Sequence, residues 1–174
     1  MFYFAYGSNT QEQLEERLGH PVDHLGLAEL PGYRLVYMGR SVKWRSATAT
    51  ALPLTLEEIG YVYGVLYAGL SEEDWEKLDK FEGVKLDGPG QHVGRYRPVE
   101  EQVLVDGKYH FARFYVMTGY LNVDREVRPP SRVYLLSVIE AALANRMPRE
   151  YIIETIMTPV CWDVEVVEPE DMFF

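Results

Sequence analysis

The chain has 174 residues, of which 47% are hydrophobic and 25% charged, and its formal net charge at pH 7 is -10. This length suits one domain with its own hydrophobic core, so we predict a single domain over residues 1–174. The negative charge and the lack of a basic run argue against a nucleic-acid partner. No apolar stretch approaches the ~20 residues of a membrane span, and the lone Cys161 allows no internal disulfide.

The first residues predict a strand, a tight turn and a helix. Residues 2–6 are aromatic or apolar and predict a short buried strand. The strand stops at Gly7-Ser8-Asn9, and a helix follows over residues 10–18. Backbone N–H groups at the start of a helix lack helical partners, so such a turn can hold a carboxylate or an oxyanion. An ordinary turn and helix cap would explain the same residues.

The next part of the chain predicts an irregular segment and three strands. Prolines at both ends and a glycine predict mostly irregular backbone over residues 21–31. The strands are predicted at Tyr33–Met38, 46–51 and 60–67. Small residues alternate in the second strand, which indicates either a close crossing by another element or space for a ligand. Gly64 in the third predicts a bulge or a close backbone approach.

A helix predicted over residues 71–82 ends in a carboxylate on its apolar side. Trp75, Leu78 and Glu82 are spaced at i, i+3 and i+7, so all three share the face that should be buried. Gly83 then stands where a left-handed C-cap is expected.

The predicted position of Glu82 is unfavourable for its charged form. The helix C-terminus carries the negative end of the dipole, and burial disfavours a charge, so both effects should raise the pKa of this carboxyl. Sequences selected only for stability seldom place a glutamate there, which favours a functional role. Two alternatives stay open: Glu82 turns out to water, or it pairs with an arginine such as Arg95 or Arg97.

The remaining chain predicts two paired strands and two helices. Asp106-Gly107 is a favoured type I′ pair and should join the two strands in a hairpin. The predicted elements are a glycine-rich loop at 84–94, strands at 95–105 and 108–117, a loop at 120–130, a helix capped by Ser131, a last helix at 149–157 and an edge strand at 161–167.

Several short motifs, in this order, resemble those of the gamma-glutamylcyclotransferase (AIG2-like) family. They are Tyr6-Gly7-Ser8-Asn9, the Glu82-Gly83-Val84 that ends a helix, a Y-x-M-T-x-Y at 115–120, a P-P-S-x-x-Y at 129–134 and a helix-Pro-x-x-Tyr at 145–151. The resemblance implies an α+β fold in which a small mixed β-barrel is flanked by helices.

The same resemblance implies an enzyme that forms 5-oxoproline. The free α-amine of a γ-glutamyl group would attack its own γ-carbonyl in a lyase-type or transferase-type cyclisation and release an amine or amino acid. Glu82 would be the general acid/base, and no cofactor or metal is required. The residues implied to bind the substrate are Tyr3, Phe4, Ala5, Tyr6, Gly7, Ser8, Asn9 and Tyr134.

Two other functions stay open at this point. One is a binding module that holds a γ-glutamyl-like metabolite without turnover, and the other is an interaction protein with an aromatic surface. We expect a cytoplasmic protein, since Met1 leads directly into the first strand without a leader pattern. The expected partner is a small γ-glutamyl compound, and a homodimer is an option. We expect no binding to nucleic acid or to a membrane. The loop at 84–94 is long and glycine-rich, and the segment 122–128 looks longer than the family's, so the leaving group is not defined by the motifs.

Overall fold

The computed structural model describes residues 1–88, 92–118 and 127–157. The strands are β1 (Phe2–Ala5), β2 (Asp23–Pro31), β3 (Tyr33–Met38), β4 (Thr48–Pro53), β5 (Tyr61–Ala68), β6 (Tyr96–Val105) and β7 (Lys108–Met117). The helices are α1 (Gln11–Leu18), α2 (Glu72–Glu82), α3 (Arg132–Ala144) and α4 (Arg149–Tyr151), which continues as a π-helix over Ile152–Met157.

Five strands form a closed barrel in the order β1-β5-β2-β6-β7. The barrel is mixed, since β1 and β7 run parallel, with Phe2 opposite Ala112, whereas the other neighbouring strands are antiparallel. The strands β3 and β4 pair with each other outside the barrel. The predicted α+β fold, a small mixed barrel with flanking helices, is confirmed.

The barrel is filled by large apolar side chains. Phe4, Leu66 and Phe114 are at most 1% exposed, and full burial of such a side chain contributes about 1.5–3 kcal/mol. A Cβ on Gly64 would lie 2.5 Å from the Phe4 ring. The predicted close approach at Gly64 is therefore observed. The predicted bulge is not, because the pairing of β2 with β5 keeps a regular register from Leu27 to Pro31.

The pair β3–β4 packs on the barrel through both strands, with small side chains at and just before β4. Ala47, Ala49 and Ala51 are buried in the same core as the barrel side chains. On the same strand, Thr50 Oγ1 accepts a hydrogen bond of 2.9 Å from the backbone N–H of Met117. The small residues therefore allow the barrel to pack closely against this strand, which is the first of the two interpretations given for its sequence.

The prediction of irregular backbone at 21–31 is wrong, because this segment forms β2. It pairs with β5 along its length, and a register shift between His24 and Gly26 accommodates the irregular part. Pairing on both sides within a closed barrel outweighs the weak strand propensity of the sequence. The edge strand predicted at 161–167 lies outside the described residues.

The turns and caps predicted around α2 and the hairpin are confirmed. Ser71 and Asp74 form a capping box, and Gly83 has a φ of 69°, which favours glycine at the C-cap. Asp106 and Gly107 both have positive φ, at 47° and 77°, as a type I′ turn needs. None of the helices in the described ranges is long and apolar enough to span a membrane.

Candidate active site

A cavity of about 160 Å³ opens where β1 leaves the barrel and the chain turns into α1. Every residue that the sequence predicted for the site borders this cavity. The full lining is Tyr3, Phe4, Ala5, Tyr6, Gly7, Ser8, Asn9, Gln13, Arg17, Ser41, Lys43, Trp44, Thr48, Ala49, Phe81, Glu82, Arg95, Tyr96, Tyr115 and Tyr134. The fold thus brings the N-terminal turn, the end of α2 and the start of α3 together.

Among the described residues that line the cavity, Glu82 is the only carboxylate. Its side chain is 17% exposed, and its Oε1 lies 3.7 Å from Nη1 of Arg17. Burial raises the pKa of Glu82 above its ordinary value, although Arg17, a hydrogen bond from Asn9 and the charge of Arg95 each act to lower it. The predicted rise in pKa is confirmed in direction, and the cation that pairs with Glu82 is Arg17 rather than Arg95 or Arg97.

Asn9 connects the N-terminal turn to this carboxyl. Its Nδ2 donates to the hydroxyl of Tyr3 at 3.3 Å, and its side chain also hydrogen-bonds Glu82. The carboxyl is thereby oriented by a residue of the turn that precedes α1. Burial, followed by the charge of Glu82, raises the pKa of Tyr3, so its hydroxyl stays neutral at pH 7.

Tyr134 borders the cavity opposite the same turn. Its hydroxyl accepts a hydrogen bond of 3.0 Å from the backbone N–H of Ala49, and it also hydrogen-bonds the side chain of Ser8. An added Cβ on Gly7 would lie 3.9 Å from this hydroxyl. The ring of Trp44 packs on Tyr134 with centroids 5.2 Å apart, so α3 and the segment before β4 fix this tyrosine from two sides.

The residues of the N-terminal turn border the cavity with backbone N–H groups outside the helical hydrogen-bond pattern. None of the backbone–backbone hydrogen bonds that link the described turns and caps has the N–H of Gly7, Ser8 or Asn9 as its donor. Thr10 supplies the N-cap of α1 instead, accepting from the N–H of Gln13 at 3.3 Å. Donors at such a position can hold a carboxylate or a developing oxyanion.

A second carboxylate on α2 anchors the helix to the barrel. Asp79 accepts hydrogen bonds of 2.8 and 3.0 Å from Nη2 of Arg113 and one of 2.7 Å from the hydroxyl of Tyr115. The guanidinium of Arg113 also lies over the ring of Trp75, 5.0 Å from its centroid. Because Asp79 is one turn before Glu82, this cluster fixes the end of α2 at the cavity.

Sequence reasoning named Arg95 only as a possible partner of Glu82, and it missed the other polar residues of the site. Arg17, Lys43 and Arg95 border the cavity, together with the hydroxyls of Thr48 and Tyr96. These residues come from α1, the segment after β3 and the start of β6, and no local pattern connects them. The one available signal was the position of Arg17 on the predicted helix beside the buried Leu14 and Leu18.

His20 and His24 are spaced at i, i+4 in the sequence, but their side chains contact different partners. His20 contacts Asp74, with Nε2 3.0 Å from Oδ2, and His24 contacts the side-chain oxygen of Asn145 at 3.2 Å. Within residues 1–88, 92–118 and 127–157, no group of three or more His, Cys, Asp or Glu is placed to hold a metal ion.

Comparison with known proteins places the chain among relatives of similar fold. The model of the AIG2-like family matches residues 61–154, just over half of the chain. A solved structure described as gamma-glutamyl cyclotransferase has a TM-score of 0.74 and 28% identity, with 98% of this chain and 96% of that chain covered. An uncharacterized protein from Homo sapiens gives the same TM-score, identity and coverage.

A more distant structure supports the fold alone. YkqA from Bacillus subtilis has a TM-score of 0.63 and 22% identity, with 88% of this chain and 52% of that chain covered. No curated protein sequence matches the chain.

Proposed function

Because the chain belongs to the AIG2-like family, we propose that it is an enzyme of the gamma-glutamyl cyclotransferase type. Its substrate would be a γ-glutamyl amino acid or γ-glutamyl amine, and its products 5-oxoproline and the released amine. The observation that carries the proposal is that Glu82, with a raised pKa, faces the same cavity as the Gly7-Ser8-Asn9 turn.

Internal aminolysis needs one group that first accepts and then donates a proton. The α-amine of the substrate is protonated at neutral pH, so Glu82 as carboxylate takes a proton from it. The freed amine attacks the γ-carbonyl carbon, and the new C–N bond closes the five-membered ring. Glu82 then donates its proton to the departing nitrogen as the original amide bond breaks. The ring nitrogen gives up its second proton to the Glu82 carboxylate, which passes it on to the released amine, so the products are 5-oxoproline and an ammonium group. A raised carboxyl pKa suits both transfers.

The tetrahedral intermediate carries a negative oxygen that must be stabilised. In this proposal the backbone N–H groups of Gly7 and Ser8 donate to it, which is supported by their position in the cavity lining on the N-terminal side of α1, where the helix dipole is positive. The hydroxyl of Tyr134 and the side chain of Asn9 would orient the substrate and Glu82. The nucleophile belongs to the substrate, so the protein has only to position the substrate, accept a proton and donate a proton.

The test is release of 5-oxoproline from γ-glutamyl compounds by the wild-type chain and by Glu82→Gln. The substitution keeps the shape of the side chain and removes the base, so kcat should fall by at least the ~10² typical of lost acid–base catalysis. Binding of the substrate should change by less than about tenfold.

Glu76→Gln is the matched control, because Glu76 is exposed on the same helix. It should turn over like the wild-type chain. Full turnover by Glu82→Gln would overturn the assigned role of Glu82. If wild-type chain binds γ-glutamyl compounds and releases no 5-oxoproline, the protein is a binding module rather than an enzyme.

A further inference from the structure

The cavity is positively charged in a strongly negative protein. The residues that line it include three cations, Arg17, Lys43 and Arg95, and one carboxylate, Glu82. With Glu82 ionised, the described residues of the lining therefore carry a formal charge of +2, whereas the whole chain has -10. A concave site with this sign of charge attracts anions and disfavours cations.

Two of these cations have no ion-pair partner in the part of the chain that the structure describes. Arg17 is 3.7 Å from Glu82. Among the described residues, neither Lys43 nor Arg95 forms an ion pair. Lys43 lies over the ring of Trp44, 5.0 Å from its centroid. Both are thus available to an anion that enters the cavity.

The guanidinium of Arg95 is held in place by neutral groups. Its Nη2 donates to Thr48 Oγ1 at 3.1 Å, and the same oxygen lies 3.0 Å from the hydroxyl of Tyr96. The ring of Tyr96 lies under the guanidinium at 5.4 Å. A cation oriented by a hydroxyl and an aromatic ring keeps its charge uncompensated, and the fork of its remaining N–H groups matches a carboxylate.

Arg95 also stands close to where the departing nitrogen must be. Its backbone N–H donates to the carbonyl of Gly83 at 2.9 Å, and its charge acts to lower the pKa of Glu82, against the larger effect of burial that raises it. If Glu82 protonates the departing nitrogen, the group attached to that nitrogen lies beside Glu82 and within reach of Arg95.

We propose that Arg95, supported by Lys43, binds a carboxylate on the leaving group. This inference rests on the proposed function and narrows its substrates to γ-glutamyl compounds whose released amine is an amino acid, in preference to neutral or cationic amines.

The experiment compares γ-glutamyl-alanine with γ-glutamyl-ethylamide, which differs from it by the missing carboxylate. The wild-type chain should favour γ-glutamyl-alanine in kcat/KM by about tenfold or more, the range of a hydrogen bond between charged groups. In Arg95→Gln the preference should fall to within about threefold. The ratio of the two substrates cancels any general effect of Arg95 on Glu82.

Two further variants keep the comparison interpretable. Lys43→Met, at an exposed position, should reduce the preference by a smaller factor and weaken its dependence on salt. Arg97→Gln is the matched control, because Arg97 is exposed, two residues away and outside the lining. It should leave the preference unchanged.

Equal use of both substrates by the wild-type chain would overturn the inference. An equal loss on both substrates in Arg95→Gln would do the same, and would assign Arg95 to the α-carboxylate. If neither compound releases 5-oxoproline, the proposed function fails, and equilibrium binding of the same two compounds then decides the inference. Tighter binding of γ-glutamyl-alanine that depends on Arg95 supports it, and equal or absent binding overturns it.

Discussion

Helix α2 carries a shielded carboxylate at each end, and the two have opposite surroundings. At the N-terminus, the side chain of Asp74 is 3% exposed and accepts hydrogen bonds from the backbone N–H and hydroxyl of Ser71 at 2.8 and 2.7 Å. His20 adds a contact of 3.0 Å. Burial by itself would raise the pKa of Asp74, but these hydrogen bonds outweigh it and lower the pKa to about 2.

Glu82 at the C-terminus has the opposite balance. It faces the negative end of the helix dipole, and burial raises its pKa despite the nearby Arg17 and Asn9. The surroundings favour the charged form of Asp74 and disfavour the charged form of Glu82. The charge of Asp74 therefore stabilises the folded chain, whereas the charge of Glu82 costs stability. A fold keeps such a cost at positions that function requires.

The largest effect expected on stability is at Asp74. Asp74→Asn removes the charge that Ser71 and His20 bind, so the free energy of unfolding at pH 7 should fall by about 2 kcal/mol. The site lies at the far end of α2, so kcat/KM of the folded chain should change by less than about threefold. Chemical denaturation measures the free energy of unfolding, and 5-oxoproline release measures kcat/KM.

The pH dependence of this variant checks the cause. The pKa of Asp74 is lowered from 3.8 to about 2, so its stabilisation is present above pH ~4 and is lost as the pH falls toward 2. The difference between the wild-type chain and Asp74→Asn should therefore shrink in that range. Ser71→Ala, which removes part of the same cap, should cost about 1 kcal/mol. A constant difference from pH 7 to 2 would point to packing instead.

A smaller effect of opposite sign is expected for the stability of Glu82→Gln. Because the pKa of Glu82 is raised, its charge disfavours the folded state, and this penalty grows as the pH rises from about 4.5 through the folded pKa. Removal of the charge should leave the free energy of unfolding level or higher at pH 8, and nearly unchanged at pH 4. Lower stability of Glu82→Gln at pH 8 would show that Glu82 holds the fold through its contact with Arg17.

The end of α2 with Glu82 could be predicted from sequence because its determinants are local. The spacing from Trp75 and the following Gly83 place the carboxyl on the buried face at a C-cap, and each feature lies within one or two helical turns. The same holds for the N-terminal turn, where a strand, Gly7 and a helix cap follow one another. The family motifs then connected the two stretches.

The cationic half of the site could not be predicted in this way. Arg17, Lys43 and Arg95 reach the cavity because barrel closure brings α1, the segment after β3 and the start of β6 together. Pairing between distant strands decides this, and it leaves no periodic pattern in the sequence. The strand β2 was missed for the same reason, since its weak propensity is overcome by β5 on one side and β6 on the other.

The smallest expected effect concerns His20, which connects the end of α1 to the well-satisfied end of α2. Its two ring nitrogens face the carbonyl of Pro21 at 2.8 Å and the carboxylate of Asp74 at 3.0 Å. Both are acceptors, so the doubly protonated ring is favoured, and the contacts with Pro21 and Asp74 raise the pKa of His20. A raised histidine pKa stabilises the fold fully below the unfolded value of about 6.5, and this contribution is lost as the pH rises through the folded pKa.

His20→Gln should therefore lower Tm by about 2 °C or less at pH 6 and leave it unchanged at pH 9, as expected of an exposed ion pair. The double variant with Asp74→Asn separates this contact from general packing. If His20 acts through Asp74, adding His20→Gln to Asp74→Asn should cost little further at pH 6. Additive losses of Tm at both pH values would show that the histidine contributes by packing, and that the charge of Asp74 is held by Ser71 alone.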